Sequence, residues 1–182
     1  MSITNKELAS VKVLKFNPAV DKEPKYETFS VPYQGLTVLN VLKSIYHAHD
    51  AELAFRWGCE GAHDPRCGAC VIMVNDKPVL SCRKLAETEM VIEPHPKYKV
   101  IKDLVVDFNE VKKDTKKRTP SVQITIDYDK CVKCADCVNL CPAGVYEAKK
   151  GEIKPSAEFC CGDTCGQCVM YCQKNAITIK AI

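Results

Sequence analysis

The first third of the chain shows two alternating apolar and polar segments, followed by a helical pattern. Alternation over residues 11–16 and again over residues 26–31 predicts two β-strands, which a proline-containing segment connects. Thr37 is a typical helix N-cap residue, and the apolar residues that follow it recur at helical spacing as far as Tyr46. We therefore predict an amphipathic helix directly after the two strands.

The pattern after this helix indicates more strands and then a linker. Residues 71–74 and 78–80 flank Asn75-Asp76-Lys77, which predicts a β-hairpin, and residues 90–92 supply a further strand. Two strands, a helix, a loop and more strands is the order of a β-grasp domain, which we assign to residues 1–96. Residues 100–111 are apolar enough for a helix, and residues 112–118 are strongly basic. We assign 97–120 to a helix and a solvated basic linker, with docking to an acidic partner or phosphate as the alternative.

Composition excludes several classes of protein. The 182 residues are 46% hydrophobic and 27% charged, which are globular values, and a net charge of +3 is too small to indicate nucleic-acid binding. We find neither a secretory signal at the N-terminus nor an apolar run of about 18 residues, and we expect a cytoplasmic chain that does not span a membrane. In such a reducing compartment, the 13 cysteines are expected to bind metal rather than form disulfides.

The C-terminal part contains a duplicated cysteine motif. The spacing C-x2-C-x3-C, which begins at Cys134, returns 31 residues later at Cys165. The full first copy reads Cys131-x2-Cys134-x2-Cys137-x3-Cys141-Pro142 and is the bacterial ferredoxin signature, whose fourth cysteine binds the neighbouring cluster. The chain is therefore predicted to be α+β, with a plant-ferredoxin-like β-grasp domain followed by a bacterial-type 2[4Fe-4S] ferredoxin domain over residues 121–182.

The crossing of the fourth cysteine assigns ligands to two clusters. The second cluster of the chain is assigned Cys131, Cys134, Cys137 and Cys172, and the third is assigned Cys141, Cys165, Cys168 and one cysteine just upstream. A strict repeat would place that last ligand at Gly162, so we assign the nearer Cys161 and keep Cys160 as the alternative. Paired C-x2-C motifs also occur in zinc sites, but three-cysteine motifs that end in a fourth cysteine do not match two tetrahedral knuckles.

Four more cysteines form the first site: Cys59, Cys67, Cys70 and Cys82. A plant-type [2Fe-2S] loop has the spacing C-x4-C-x2-C and then a distant cysteine, so this chain has three extra residues in its first interval. The longer loop has room for a [4Fe-4S] cluster, which we favour over [2Fe-2S]. His63 and Asp64 lie in this stretch, and we interpret them as a solvent-facing loop tip because four thiolates already suffice, with coordination of the cluster as the alternative.

These motifs carry a family resemblance. The segments Phe55-Arg56-Trp57-Gly58-Cys59 and Cys67-Gly68-Ala69-Cys70, and residues 75–82, resemble the iron-sulfur subunit of succinate dehydrogenase and fumarate reductase, as does the chain up to about residue 108. The remainder is similar to a bacterial dicluster ferredoxin, without the longer helical domain that holds a [3Fe-4S] centre in that family. The resemblance therefore does not extend to a quinone site.

The predicted function is electron transfer. Twelve of the cysteines are assigned to three clusters, and the sequence contains no nucleotide-binding motif and no residues for a catalytic pocket. The plan is similar to the small iron-sulfur subunit of tungsten-dependent (class II) benzoyl-CoA reductase, which implies a hetero-oligomer with a larger catalytic oxidoreductase subunit that holds tungsten-pterin. The alternative is a subunit of a fumarate reductase or succinate dehydrogenase-like complex. A zinc-folded module that binds nucleic acid through residues 112–118 is disfavoured because no aromatic residues interleave with the basic ones.

Overall fold

The computed structural model describes residues 7–59, 67–112 and 117–182. In the first part of the described chain, a five-stranded sheet has the order β2-β1-β5-β3-β4. Its elements are β1 (Leu8–Lys15), β2 (Lys25–Pro32), α1 (Val38–Ala48), β3 (Val71–Val74), β4 (Lys77–Leu80) and β5 (Glu89–Glu93). Strands β1 and β5 are parallel and the other neighbours are antiparallel, which gives the predicted β-grasp arrangement.

The helix and the sheet form the core of this part. Thr37 caps α1 as predicted, because its side chain accepts a hydrogen bond from the Asn40 N–H. One face of α1 is buried, and the inward residues of β1 alternate with exposed ones as a strand with one buried face requires. The predicted hairpin is confirmed, and Asn75 and Asp76 both have positive φ, as a two-residue turn of the type I′ class needs.

The helix predicted over residues 100–111 is wrong. The structure has an antiparallel hairpin there, with β6 at Tyr98–Lys102 and β7 at Val105–Val111. The segment is rich in β-branched residues, which favour strands, and Asp103 turns the chain with a φ of 46°. The buried Asp103 carboxylate accepts hydrogen bonds from the N–H groups of Phe16 and Ala54, both at 2.9 Å, so distant parts of the chain fix this turn.

The second part has the internal symmetry that the repeat predicts. It consists of β8 (Val122–Ile126), α2 (Asp136–Leu140), β9 (Tyr146–Lys149), β10 (Glu152–Pro155), α3 (Gln167–Tyr171) and β11 (Ile177–Ala181), with one-turn 3₁₀ helices at Ala157–Phe159 and Gly162–Thr164. Helices α2 and α3 are related by the 31-residue offset. The left-handed residues Ala135 and Gly166 precede them at the same offset, with φ values of 64° and 69°.

The basic segment is described only at its ends. Residues 113–116 lie outside the described residues, whereas Arg118 forms an ion pair with Asp76 in the turn between β3 and β4. The division of the chain at residues 96 and 120 stays a prediction.

Candidate metal centres

The β3–β4 hairpin brings two cysteines of the first site together. Cys70 immediately precedes β3 and Cys82 follows β4, so the pairing of these strands places the two Sγ atoms 3.3 Å apart. Both side chains are buried. Burial, the Cys70 hydrogen bond and the charges of the other three thiols raise the pKa of Cys82 to about 12.

The other two cysteines of the first site lie at its exposed edge. Cys67 is exposed and Cys59 is half-buried, and the Cys59 N–H points at Cys67 Sγ at 3.5 Å. A Cβ on Gly58 would lie 2.9 Å from this same Sγ, so glycine is needed for the close approach. His63 and Asp64 lie outside the described residues.

These four thiols fit a cationic iron core. Four neighbouring thiols that are partly buried are costly to deprotonate, because the resulting thiolates repel one another, as the raised pKa of Cys82 illustrates. Iron supplies the positive charge that makes such a set stable, because a coordinated thiol loses its proton.

The second site is a cavity at the start of α2. Its lining includes Cys131, Cys134, Cys137 and Cys172, which are the four residues assigned to the second cluster, and Cys168 also reaches it. Lys133 and Ala135 have positive φ between residues that do not, and such alternation can turn consecutive N–H groups toward an anion. Burial and the neighbouring thiols, Cys131 first, raise the pKa of Cys137 to about 11.

The third site is a cavity between α3 and the segment after Cys141. Its lining includes five cysteines: Cys141, Cys160, Cys161, Cys165 and Cys168. The structure thus brings both candidates for the last ligand to one cavity, and both are buried. Burial, followed by the nearby thiols Cys165, Cys160, Cys141 and Cys70, raises the pKa of Cys161. Cys70, the last of these thiols, belongs to the first site.

Among residues 7–59, 67–112 and 117–182, no three His, Cys, Asp or Glu side chains converge closely enough to hold a single ion. The cysteine ligands of an iron-sulfur cluster are distributed over several irons and have no need to converge on one point.

One polar residue of the third site, Tyr146, was not predicted from the sequence. The Tyr146 hydroxyl donates a hydrogen bond to Cys168 Sγ at 3.0 Å, and burial together with this bond raises the pKa of Tyr146. Alignment of the repeat copies places Ile177 opposite Tyr146, so this mismatch was the signal that could have indicated it.

Two family models match this chain. A family model described as a 2Fe-2S iron-sulfur cluster binding domain matches residues 10–113, which is more than half of the chain. The chain belongs to this family. A second model, a 4Fe-4S binding domain, matches residues 123–146, so both domain types that we predicted are confirmed.

Two curated relatives are fumarate reductase subunits. One subunit of the fumarate reductase (CoM/CoB) of Methanothermobacter marburgensis is 30% identical over 207 residues, covering 92% of this chain and 41% of the relative. The fumarate reductase iron-sulfur subunit of Haemophilus influenzae is 37% identical over 111 residues, covering 59% of this chain and 42% of the relative. The chain thus spans about two fifths of the length of these relatives, and it is similar to iron-sulfur subunits of oxidoreductase complexes.

A solved structure also matches part of the chain. The Mycobacterium smegmatis Sdh1 complex in the apo form matches 57% of this chain and 44% of its own, with 25% identity and a TM-score of 0.48. Within the described part of the chain, no helix is both long and apolar enough to cross a bilayer.

Proposed function

We propose that this chain relays single electrons through three iron-sulfur clusters to or from a separate catalytic subunit of a fumarate reductase-like complex. The observation that carries the proposal is the placement of the assigned cysteines in three sites, of which the third contacts both the first and the second. The two curated relatives described above are both fumarate reductase subunits. They favour a fumarate reductase-like complex over the benzoyl-CoA reductase complex that the cysteine pattern had suggested.

The ligand sets are part of the proposal. We assign Cys59, Cys67, Cys70 and Cys82 to the first cluster, Cys131, Cys134, Cys137 and Cys172 to the second, and Cys141, Cys161, Cys165 and Cys168 to the third. The match to a 2Fe-2S family model favours [2Fe-2S] in the first site over the [4Fe-4S] that the longer loop suggested. The second and third sites each take [4Fe-4S].

The contacts between the two parts support an order of electron transfer. The buried Gly68, between Cys67 and Cys70, lies against Pro142, which follows Cys141; a Cβ on Gly68 would lie 2.4 Å from that of Pro142. The Leu80 N–H donates to Thr164 Oγ1 at 3.1 Å, and the Tyr98 hydroxyl donates to the Pro142 carbonyl at 3.3 Å. The Gly68 and Leu80 contacts join the first site to the segments that carry Cys141 and Cys161. Cys168 lines both the second and the third cavity, so the third cluster lies between the first and the second.

The exposure of the cysteines agrees with this order. The middle site has no exposed cysteine, whereas each outer site has one, Cys67 in the first and Cys134 in the second. Electrons therefore enter and leave at the two outer clusters. Trp57, two residues before Cys59 of the first site, is 46% exposed and offers an apolar surface for a partner.

A paired assay tests the function. The purified chain should accept electrons from a chemical reductant and pass them to an artificial dye, but it should not reduce fumarate. A complex copurified under anaerobic conditions should do both. Fumarate reduction by the chain alone would contradict the proposal, and so would a copurified complex that transfers electrons to the dye with no response to fumarate.

Adjacent cysteines provide a matched control for the third cluster. Cys161→Ala should lower the iron content by about one cluster of four irons, whereas Cys160→Ala should leave it near the wild-type value. Both substitutions remove one buried thiol from the same cavity, so their difference isolates ligation. The reverse result would reassign the ligand to Cys160.

A further inference from the structure

The two halves of the repeat give their clusters the same backbone hydrogen bonds. The Val145 N–H donates to Cys141 Sγ at 3.3 Å, and the Ala176 N–H, 31 residues later, donates to Cys172 Sγ at 3.3 Å. In the proposed assignment, Cys141 and Cys172 are the ligands that cross between modules. This pair of bonds therefore affects the third and second clusters equally.

The two copies of the repeat have different side chains at the next position. Tyr146 follows Val145, and Ile177 follows Ala176, and both side chains are buried. The Tyr146 hydroxyl donates to Cys168 Sγ at 3.0 Å, whereas isoleucine has no donor to offer the second cluster. The repeat thus places one additional side-chain hydrogen bond on a ligand of the third cluster.

A hydrogen bond to a ligand sulfur stabilises the reduced cluster more than the oxidised one, because reduction adds negative charge that the ligands share. Burial acts in the opposite direction, since a low-dielectric environment disfavours the added charge. The third site contains the buried segment Cys160–Cys161, whereas Cys134 of the second site is exposed. Burial alone would therefore make the third cluster the harder one to reduce.

We propose that Tyr146 is a positioning residue that raises the reduction potential of the third cluster through its hydrogen bond to Cys168, and so offsets the effect of burial. This inference rests on the proposed function and on Cys168 being a ligand of that cluster. Its consequence is that the middle cluster can be reduced in turn with its neighbours and does not block the path.

A redox titration followed by EPR tests the inference. Tyr146→Phe keeps the ring and removes only the hydroxyl, so the midpoint of the third cluster should shift to a more negative potential while the second cluster keeps its own. Tyr128→Phe is the control, because the Tyr128 hydroxyl donates to the Ile153 carbonyl at 2.8 Å and not to a cysteine. An equal shift in both variants, or an unchanged midpoint in Tyr146→Phe with full iron content, would overturn the inference.

A second replacement keeps the hydroxyl. Site-specific 3-fluorotyrosine at position 146 is a stronger donor of nearly the same shape, so it should shift the same midpoint to a more positive potential. No shift, or a negative one, would overturn the inference even if Tyr146→Phe failed to assemble the cluster. A wild-type chain that binds no iron would instead refute the proposed function, and the two failures are thereby distinguished.

Discussion

Two glycines with the same backbone conformation allow the contact between the two parts of the chain to be measured. Gly35 has a φ of +71° and Gly68 a φ of +70°, so alanine at either position is strained by the same left-handed conformation. A Cβ on Gly35 meets nothing within 4 Å, whereas a Cβ on Gly68 would lie 2.4 Å from Pro142 Cβ and 2.7 Å from Pro142 Cγ. The difference between the two substitutions therefore reports the contact with Pro142.

The expected losses of stability combine the cost of the left-handed backbone with the cost of overpacking against Pro142. A non-glycine residue in the left-handed region costs about 1–2 kcal/mol, which is the whole effect expected for Gly35→Ala. Overpacking at a filled contact costs about 1–3 kcal/mol more, so Gly68→Ala should lose about 2–5 kcal/mol in total. The Pro142 ring is rigid and cannot rotate away, so the two parts must separate or the loop of Cys67 and Cys70 must move.

Anaerobic urea denaturation followed by circular dichroism measures both losses, and iron analysis shows whether the first cluster is retained. We expect Gly68→Ala to be the less stable variant and to lose iron from the first site. Losses that agree within about 0.5 kcal/mol, with full iron in both variants, would refute the contact between the first-site loop and Pro142.

Three further predictions concern ligation, the buried turn and acid stability. Cys172→Ala should abolish the EPR signal of the second cluster and spare the third, and loss confined to the third would refute the crossing of ligands. Asp103→Asn should destabilise the chain by about 3 kcal/mol in urea, because the carboxylate accepts two backbone N–H bonds and faces Lys15 at 3.3 Å; a loss below about 1 kcal/mol would argue against that network. Burial acts to raise the pKa of Asp50, but the hydrogen bond from Lys15, the N–H of Glu52 and the charge of Lys15 together lower it. The stability that these contacts contribute is therefore present above an unfolded pKa of about 4 and is lost as pH falls through the folded value. Asp50→Asn should flatten the acid limb of the stability curve, and an unchanged limb would contradict the role of the ion pair.

Local signals in the sequence predicted much of the fold. Alternation indicated the strands, Thr37 marked the start of α1, and Asn75-Asp76 marked the hairpin, because each depends on residues near one another in the chain. The helix prediction for residues 100–111 was wrong because the apolar spacing of this segment fits either a helix or strands. The turn of the observed hairpin is held by the Asp103 carboxylate, whose partners Phe16 and Ala54 are 87 and 49 residues away and so leave no local signal.

In the candidate sites, too, the sequence predicted the features that depend on a local motif and missed those that depend on the fold. The cysteine spacing predicted the ligand sets through the ferredoxin signature, and the structure brings Cys131, Cys134, Cys137 and Cys172 to one cavity. The contact between Gly68 and Pro142 joins the two parts of the chain, and no local pattern predicts it. Tyr146 is an intermediate case: the repeat shows that it differs from Ile177, but only the fold shows that its hydroxyl reaches Cys168.

Iron and acid-labile sulfide analysis of the anaerobically purified chain, combined with EPR of the reduced protein, tests the central claim most directly. One [2Fe-2S] and two [4Fe-4S] clusters predict about 10 irons per chain, matched by as many sulfides, and three centres that each take up one electron. About 12 irons would place [4Fe-4S] in the first site and leave the electron-transfer path unchanged. Zinc as the main metal, or a single paramagnetic centre in the fully reduced protein, would contradict the account.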